Sequence, residues 1–152
     1  MHETLEQLDN ATVDSLINIK ADVAFSSNNV RIGTNGLDKL SVYSTSKWHD
    51  WSLEQRNNFK TLLNDHMSTA IVGWFLEFPG NTGFLDEMDY WVDKPDSGTV
   101  VAYSLVNNNS ITVAGQTVTL QKGEGIKFSL KQIHKVDIAS STRSWACLMQ
   151  LQ

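Results

Sequence analysis

The second half of the chain is a series of short apolar runs separated by turn residues. This pattern limits the possible folds more than any other feature, and it begins near Ala70, where helix-compatible spacing ends. The runs cover residues 71–78, 84–93, 99–106, 110–113, 116–120, 125–130, 134–138 and 143–149. Turn signals rich in Gly, Pro and Asn lie at 79–81, 107–109 and 114–115. Many short strands at regular spacing predict a β-sandwich or barrel as the core, over residues 70–152.

The first 69 residues are expected to be mostly helical support for that core. Apolar residues at helix-compatible spacing occur within residues 1–23, at Leu5, Leu8, Leu16 and Ile19. Residues 24–34 contain Ser-Ser-Asn-Asn and predict a turn beside a short strand at 30–32, and a second strand follows at 37–43. Ser52 and Gln55 form a capping-box pattern at the start of a helix that runs to about His66. We expect these helices to pack outside one sheet.

Length and charge exclude several classes of protein. At 152 residues the chain is expected to be a single domain, 1–152. Its formal net charge of −5 argues against nucleic acid as a partner. No apolar stretch is as long as a membrane-spanning helix, and the acidic N-terminus does not resemble a signal peptide, so we expect a cytoplasmic protein with no membrane partner. Cys147, the one cysteine, lies in an apolar run and predicts a buried, inert thiol.

His134 and Arg143 begin the last two predicted strands and are the residues with the clearest chemistry. A neutral imidazole is a metal ligand, and a guanidinium binds a carboxylate through two parallel hydrogen bonds. Two adjacent strands would carry both residues onto one inner face, as a site for a metal and an acidic cosubstrate requires. The alternatives are a structural hydrogen bond for His134, and a surface charge or an ion pair for Arg143.

The order of parts around this pair resembles a known family. Residues 102–107 read Ala-Tyr-Ser-Leu-Val-Asn, and residues 120–128 read Leu-Gln-Lys-Gly-Glu-Gly-Ile-Lys-Phe. His134-Lys-Val follows, and Arg143-Ser begins nine positions after His134. With the N-terminal helices, this layout resembles the Fe(II)/2-oxoglutarate-dependent oxygenases, closest to their prolyl-hydroxylase branch. The resemblance implies a mainly β fold, a double-stranded β-helix (jelly roll) with N-terminal supporting α-helices. It also implies that His134 binds iron and that Arg143 binds 2-oxoglutarate.

The sequence departs from that family at its first iron-binding motif, His-any-Asp. Asp93 stands in the place of the carboxylate, but Trp91 stands in the place of the histidine. An indole N–H is only a donor and cannot bind a cation, so the metal ligands are reduced to Asp93 and His134. We expect Fe(II) binding to be weak or absent. The acidic run with Asp86, Glu87 and Asp89 offers a substitute oxygen ligand, or else is a solvated acidic loop.

Three functional hypotheses follow. The first is a 2-oxoglutarate/Fe(II) oxygenase-like protein, active or degenerate, with Arg143 on the acid and Asp93 and His134 on the metal. The second is a non-catalytic jelly roll of cupin type that binds a small carboxylate or a protein partner, its interior filled by Trp74, Trp91 and Trp145. The third is a structural sheet protein in which His134 and Arg143 make local hydrogen bonds. The fold alone does not separate them, because function lies in the site.

Overall fold

The structure, a computed structural model, describes residues 2–34, 37–63, 72–78, 98–129, 134–136 and 142–150. Over 26–34, 37–45 and 134–136, and at residue 150, it describes the backbone alone. The elements in chain order are β1 (His2–Thr4), α1 (Asn10–Asp22), β2 (Phe25–Thr34), β3 (Leu37–Ser46), a 3₁₀ turn (Trp48–Asp50), α2 (Leu53–Leu62), β4 (Val72–Phe78), β5 (Thr99–Ser104), β6 (Asn109–Val113), β7 (Gln116–Leu120), β8 (Gly125–Ser129), β9 (His134–Val136) and β10 (Arg143–Gln150).

The strands form two antiparallel sheets. The large sheet has the order β1-β8-β5-β10-β4-β3-β2, and the small sheet has the order β7-β6-β9. From β5 onward the chain alternates between them: β5 is in the large sheet, β6 and β7 in the small one, β8 in the large one, β9 in the small one and β10 in the large one. This alternation, with antiparallel pairing throughout, is a jelly roll and confirms the predicted fold class.

Two hydrophobic cores cover the two faces of the large sheet. The inner core lies between the sheets, because it joins Ile111 and Val113 of β6 to residues of β4, β5, β8 and β10. The outer core joins the opposite face of the large sheet to α1, the 3₁₀ turn and α2. Along β10, Trp145 and Met149 belong to the inner core and Leu148 to the outer core, as strand alternation requires. The expected packing of the helices on one sheet is therefore confirmed.

Four aromatic rings of the outer core contact one another: Trp48, Trp51, Phe59 and Phe75. Trp51 stacks on Phe75 with 5.4 Å between ring centroids, and Phe59 meets Phe75 edge-on at 5.2 Å. Gly73 of β4 makes this approach possible, because a Cβ there would lie 2.7 Å from the Phe59 ring and 2.8 Å from the Trp48 ring. Close packing of α2 against β4 thus depends on a residue with no side chain.

The helices α1 and α2 each begin with a side-chain cap. Asp9 Oδ1 accepts a hydrogen bond of 2.7 Å from the Thr12 N–H, and the hydrogen bonds from Thr12 lower the pKa of Asp9. At α2 the capping box is complete: the Gln55 N–H donates to Ser52 Oγ at 3.1 Å, and the Ser52 N–H donates to Gln55 Oε1 at 2.9 Å. The sequence prediction for the start of α2 is confirmed.

Three expectations were wrong. Residues 2–4 form a strand rather than part of a helix, because they pair with β8. Residues 25–34 form one continuous strand without the expected turn, since each of them pairs with a residue of β3. The strands that carry His134 and Arg143 are not adjacent in one sheet, because β9 pairs with β6 whereas β10 pairs with β4 and β5.

Within the described residues, no helix is both long enough and apolar enough to span a membrane.

The capping box gives a stability prediction. Ser52→Ala should lower the free energy of unfolding by about 1 kcal/mol, because the Gln55 N–H loses its acceptor. Urea denaturation at constant slope measures this loss. Ser15→Ala is the matched control: the Ser15 hydroxyl bonds to the Ala11 carbonyl inside α1, where Ala is the better helix former. Equal losses in the two variants would contradict a capping role for Ser52.

The turn between β6 and β7 gives a second stability prediction. Val113 pairs with Gln116, and both residues between them have positive φ, 51° at Ala114 and 81° at Gly115. Ala adopts this left-handed conformation at a cost, whereas Asn and Gly favour it. Ala114→Asn should therefore raise the free energy of unfolding by about 0.5–1 kcal/mol in thermal or urea denaturation. Gly115→Ala should do the opposite, and stabilisation by both changes would rule out this explanation.

Candidate functional site

Arg143 lies inside the sandwich. It is the first residue of β10, it pairs with Phe78 at the end of β4, and only 1% of it is exposed. It stands two residues before Trp145, a member of the inner core, so it shares the inner face of the large sheet. The guanidinium carbon lies 5.4 Å from the centroid of the Phe78 ring. The alternative of a surface charge is therefore excluded for Arg143.

His134 occupies a register position on the facing sheet. It pairs with Val113, whose side chain belongs to the inner core. Residues directly opposite each other in an antiparallel pair share a face, so this position is on the inner face of the small sheet. Arg143 and His134 thus come from facing sheets, and a site that used both would lie between the sheets rather than along one sheet.

The other sequence-predicted site residues lie outside the described residues. They are Asp93, the Trp91 that stands for a histidine, and the candidate substitute ligands Asp86, Glu87 and Asp89. Convergence of Asp93 with His134 and Arg143 therefore stays a prediction. Among the residues that the structure describes, no group of three or more His, Cys, Asp or Glu side chains is placed to hold a metal ion.

A buried polar cluster beside Arg143 escaped the sequence analysis. The Asn109 amide nitrogen donates to Ser104 Oγ at 2.9 Å and to the Ser144 carbonyl at 3.2 Å, and the Ser104 hydroxyl donates to the Val106 carbonyl at 2.6 Å. These bonds tie the passage from β5 to β6 to the start of β10. The sequence predicts a turn at Asn109, yet it is the fully buried first residue of β6. Its place just before the run Ser110 to Val113 was the available signal.

The other described residues of the inner core are apolar. Trp74 and Trp145, expected to fill the interior, belong to the inner core together with Leu76 and Phe78. Cys147 is buried among them, and burial raises the pKa of its thiol, as an inert cysteine requires. An acid held by Arg143 would therefore lie against aromatic and aliphatic walls, where a charge-assisted hydrogen bond is stronger than in water.

A groove of about 370 Å³ lies elsewhere, between α1 and α2. It is lined by Ser15, Asn18, Ile19, Asn58, Thr61 and Leu62. None of these side chains is ionisable, and the helices cover the opposite face of the large sheet from Arg143. The inner face is thus the better candidate for a site that binds an anion.

No protein-family model matches this sequence, and no curated protein matches it. Solved structures do match the fold. An oxidoreductase of the 2OG-Fe(II) oxygenase family from Burkholderia pseudomallei gives a TM-score of 0.67 at 11% identity, over 98% of this chain and 84% of that chain.

Two further solved structures have a similar fold, one with an equal TM-score and one with a lower TM-score. A prolyl hydroxylase from Trichoplax adhaerens, in complex with a hypoxia inducible factor peptide fragment, gives a TM-score of 0.67 at 12% identity, over 99% of this chain and 83% of that chain. A predicted oxalate decarboxylase from Thermotoga maritima gives 0.52 at 12% identity, over 87% and 96%. At identities this low the likeness shows the fold alone, and the chain has the jelly-roll fold that these oxygenases and this decarboxylase share.

Proposed function

We propose that this chain is a 2-oxoglutarate/Fe(II) oxygenase-like protein that binds a small dicarboxylate between its two sheets, with a weakened iron site. The observation that carries the proposal is the guanidinium of Arg143, buried on the inner face of the large sheet. Arg143 would bind the distal carboxylate of 2-oxoglutarate. Asp93 and His134 would be the remaining metal ligands.

The environment of Arg143 supports the acid half of this proposal. Burying a guanidinium is costly unless the structure or a ligand supplies opposite charge and hydrogen bonds. The Phe78 ring stands 5.4 Å from the guanidinium carbon. An aromatic ring attracts a cation through its face, whereas the N–H groups of a guanidinium point outward in its own plane. A carboxylate is the group whose geometry matches those N–H groups.

Fewer observations support the proposed iron site than support the proposed acid site. His134 has a suitable register position on the facing sheet, and the neighbours of this fold include 2OG-Fe(II) oxygenases. Asp93 and Trp91 are known from the sequence alone, and an indole cannot replace an imidazole ligand. The buried Arg143 therefore supports binding of the acid, whereas the described residues do not complete an iron shell. Bound iron would supply oxygen activation in such a site.

Acid binding is the first test. 2-Oxoglutarate at about one hundred times its Kd should stabilise the purified protein by about 2.7 kcal/mol, which is about 5–10 °C in Tm. Glutarate should act similarly, whereas 2-oxobutyrate, which lacks the distal carboxylate, should give a much smaller shift. Arg143→Lys keeps the charge but loses the two-pronged geometry, and it should weaken binding about ten- to hundredfold in calorimetry.

Arg56→Lys is the control for that variant, because Arg56 bonds to the Trp51 carbonyl at the start of α2, outside the sandwich. If Arg143→Lys does not fold, the comparison of the three acids on unmodified protein still decides the question. Equal shifts from 2-oxoglutarate and 2-oxobutyrate, or no shift from either, would refute dicarboxylate binding.

Metal binding is tested separately. As-purified protein should carry little iron by elemental analysis, because Trp91 supplies no ligand. Trp91→His would complete two histidines and a carboxylate, and should raise Mn(II) or Fe(II) affinity at least about tenfold. Trp91→Phe also removes the indole but adds no ligand, so it should leave affinity unchanged. Stoichiometric tight iron in the unmodified protein, or equal affinities in the two variants, would argue against Asp93 and His134 as a surviving ligand pair.

A further inference from the structure

Trp145 carries a buried donor that the proposed function has not used. Its side chain is on the inner face of the large sheet, and 1% of the residue is exposed. Among the residues that the structure describes, no acceptor lies within hydrogen-bond distance of its indole Nε1. A buried N–H without an acceptor costs stability, and most buried donors in proteins are paired with protein, water or ligand.

The side-chain donors of Ser104 and Asn109, in the polar cluster beside Trp145, already have acceptors. The Ser104 hydroxyl donates to the Val106 carbonyl, and the Asn109 amide nitrogen donates to Ser104 Oγ and to the Ser144 carbonyl. Ser104 pairs with Trp145 in the sheet, so these two residues stand side by side on one face. Of these three neighbouring side chains, the indole of Trp145 is the one that offers a donor to a ligand.

The strand geometry places this donor next to the acid. Trp145 and Arg143 are two residues apart on β10, so their Cα atoms are separated by about 6.5–7 Å and their side chains leave the same face. Both side chains are long enough to reach a group between them. A carboxylate has lone pairs for more than the two bonds that a guanidinium makes, so it accepts a third donor.

We infer that the indole N–H of Trp145 donates a hydrogen bond to the carboxylate that Arg143 binds, which makes Trp145 a specificity-determining residue for dicarboxylates. The inference rests on the proposed function. Arg143 supplies charge and most of the affinity. Trp145 supplies a fixed neutral donor whose position on the central strand sets where the carboxylate lies, and it should favour acids that place a carboxylate beside Arg143 over smaller anions.

The variant that tests this inference is Trp145→Phe, which keeps an aromatic ring but removes the N–H. Calorimetry with 2-oxoglutarate should show affinity reduced about tenfold or more. Trp51→Phe is the matched control, because Trp51 also has a buried indole N–H with no acceptor among the described residues, but it lies in the outer core on the opposite face of the large sheet. It should retain the affinity of the unmodified protein. Thermal denaturation without ligand checks that both variants are folded.

A second measurement needs no substitution. In a ¹⁵N-labelled sample the indole N–H proton of Trp145 should move downfield on titration with 2-oxoglutarate and hardly at all with 2-oxobutyrate. If unmodified protein binds 2-oxoglutarate while the Trp145 signal stays in place and Trp145→Phe binds equally well, this inference is overturned and the proposed function stands. If unmodified protein binds no dicarboxylate, the proposed function fails first.

Discussion

The burial of β10 on both faces is the constraint on which the rest of the structure depends. Every residue from Arg143 to Met149 is buried, with alternate residues assigned to the inner and outer cores. Trp145 must face the small sheet, while Leu148 must face the helices. A shift by one residue would exchange the two sets, so hydrophobic packing fixes the register strongly. Arg143 inherits its interior position from that register, although nothing in its own chemistry favours burial.

Under the proposed function, the acid-binding residue and the metal-binding residue stand on strands that are paired to different extents. Arg143 begins the strand that pairs on both sides, with β4 and with β5. His134 begins a three-residue strand whose pairing within the described residues is with β6. The guanidinium therefore belongs to a strand that is buried on both faces, and Arg143 itself pairs with Phe78 of β4. Because Arg143 and the metal ligands stand on different strands, the protein would still bind an acid after losing a metal ligand. The presence of Trp91 in the place of a histidine would be such a loss.

Local chemistry made some features predictable and others not. The capping box of Ser52 and Gln55 and the turn at Ala114 and Gly115 were readable because a few neighbouring residues decide them. The strand at residues 2–4 was not, since it exists only through pairing with β8, and residues 26–29 became strand because β3 supplies partners that outweigh their turn preference.

The same limit applies to the site. The pattern from His134 to Arg143 indicated two strands and an inward guanidinium, but a hairpin and a crossing between sheets require similar numbers of intervening residues. The buried cluster of Asn109, Ser104 and the Ser144 carbonyl depends on contacts between three strands, which no local pattern encodes. Sequence reasoning thus identified the charged residue and missed the neutral groups that frame it.

The single cysteine has a consequence for how this protein responds to its surroundings. Cys147 sits in the inner core opposite Trp74 and Ala102, with a thiol that burial keeps protonated. Oxidants and alkylating reagents attack the thiolate, so Cys147 should react slowly with both while the chain is folded. Reaction at this sulfur requires the two sheets to separate, so the rate at which a thiol reagent labels Cys147 would report how often the sandwich opens.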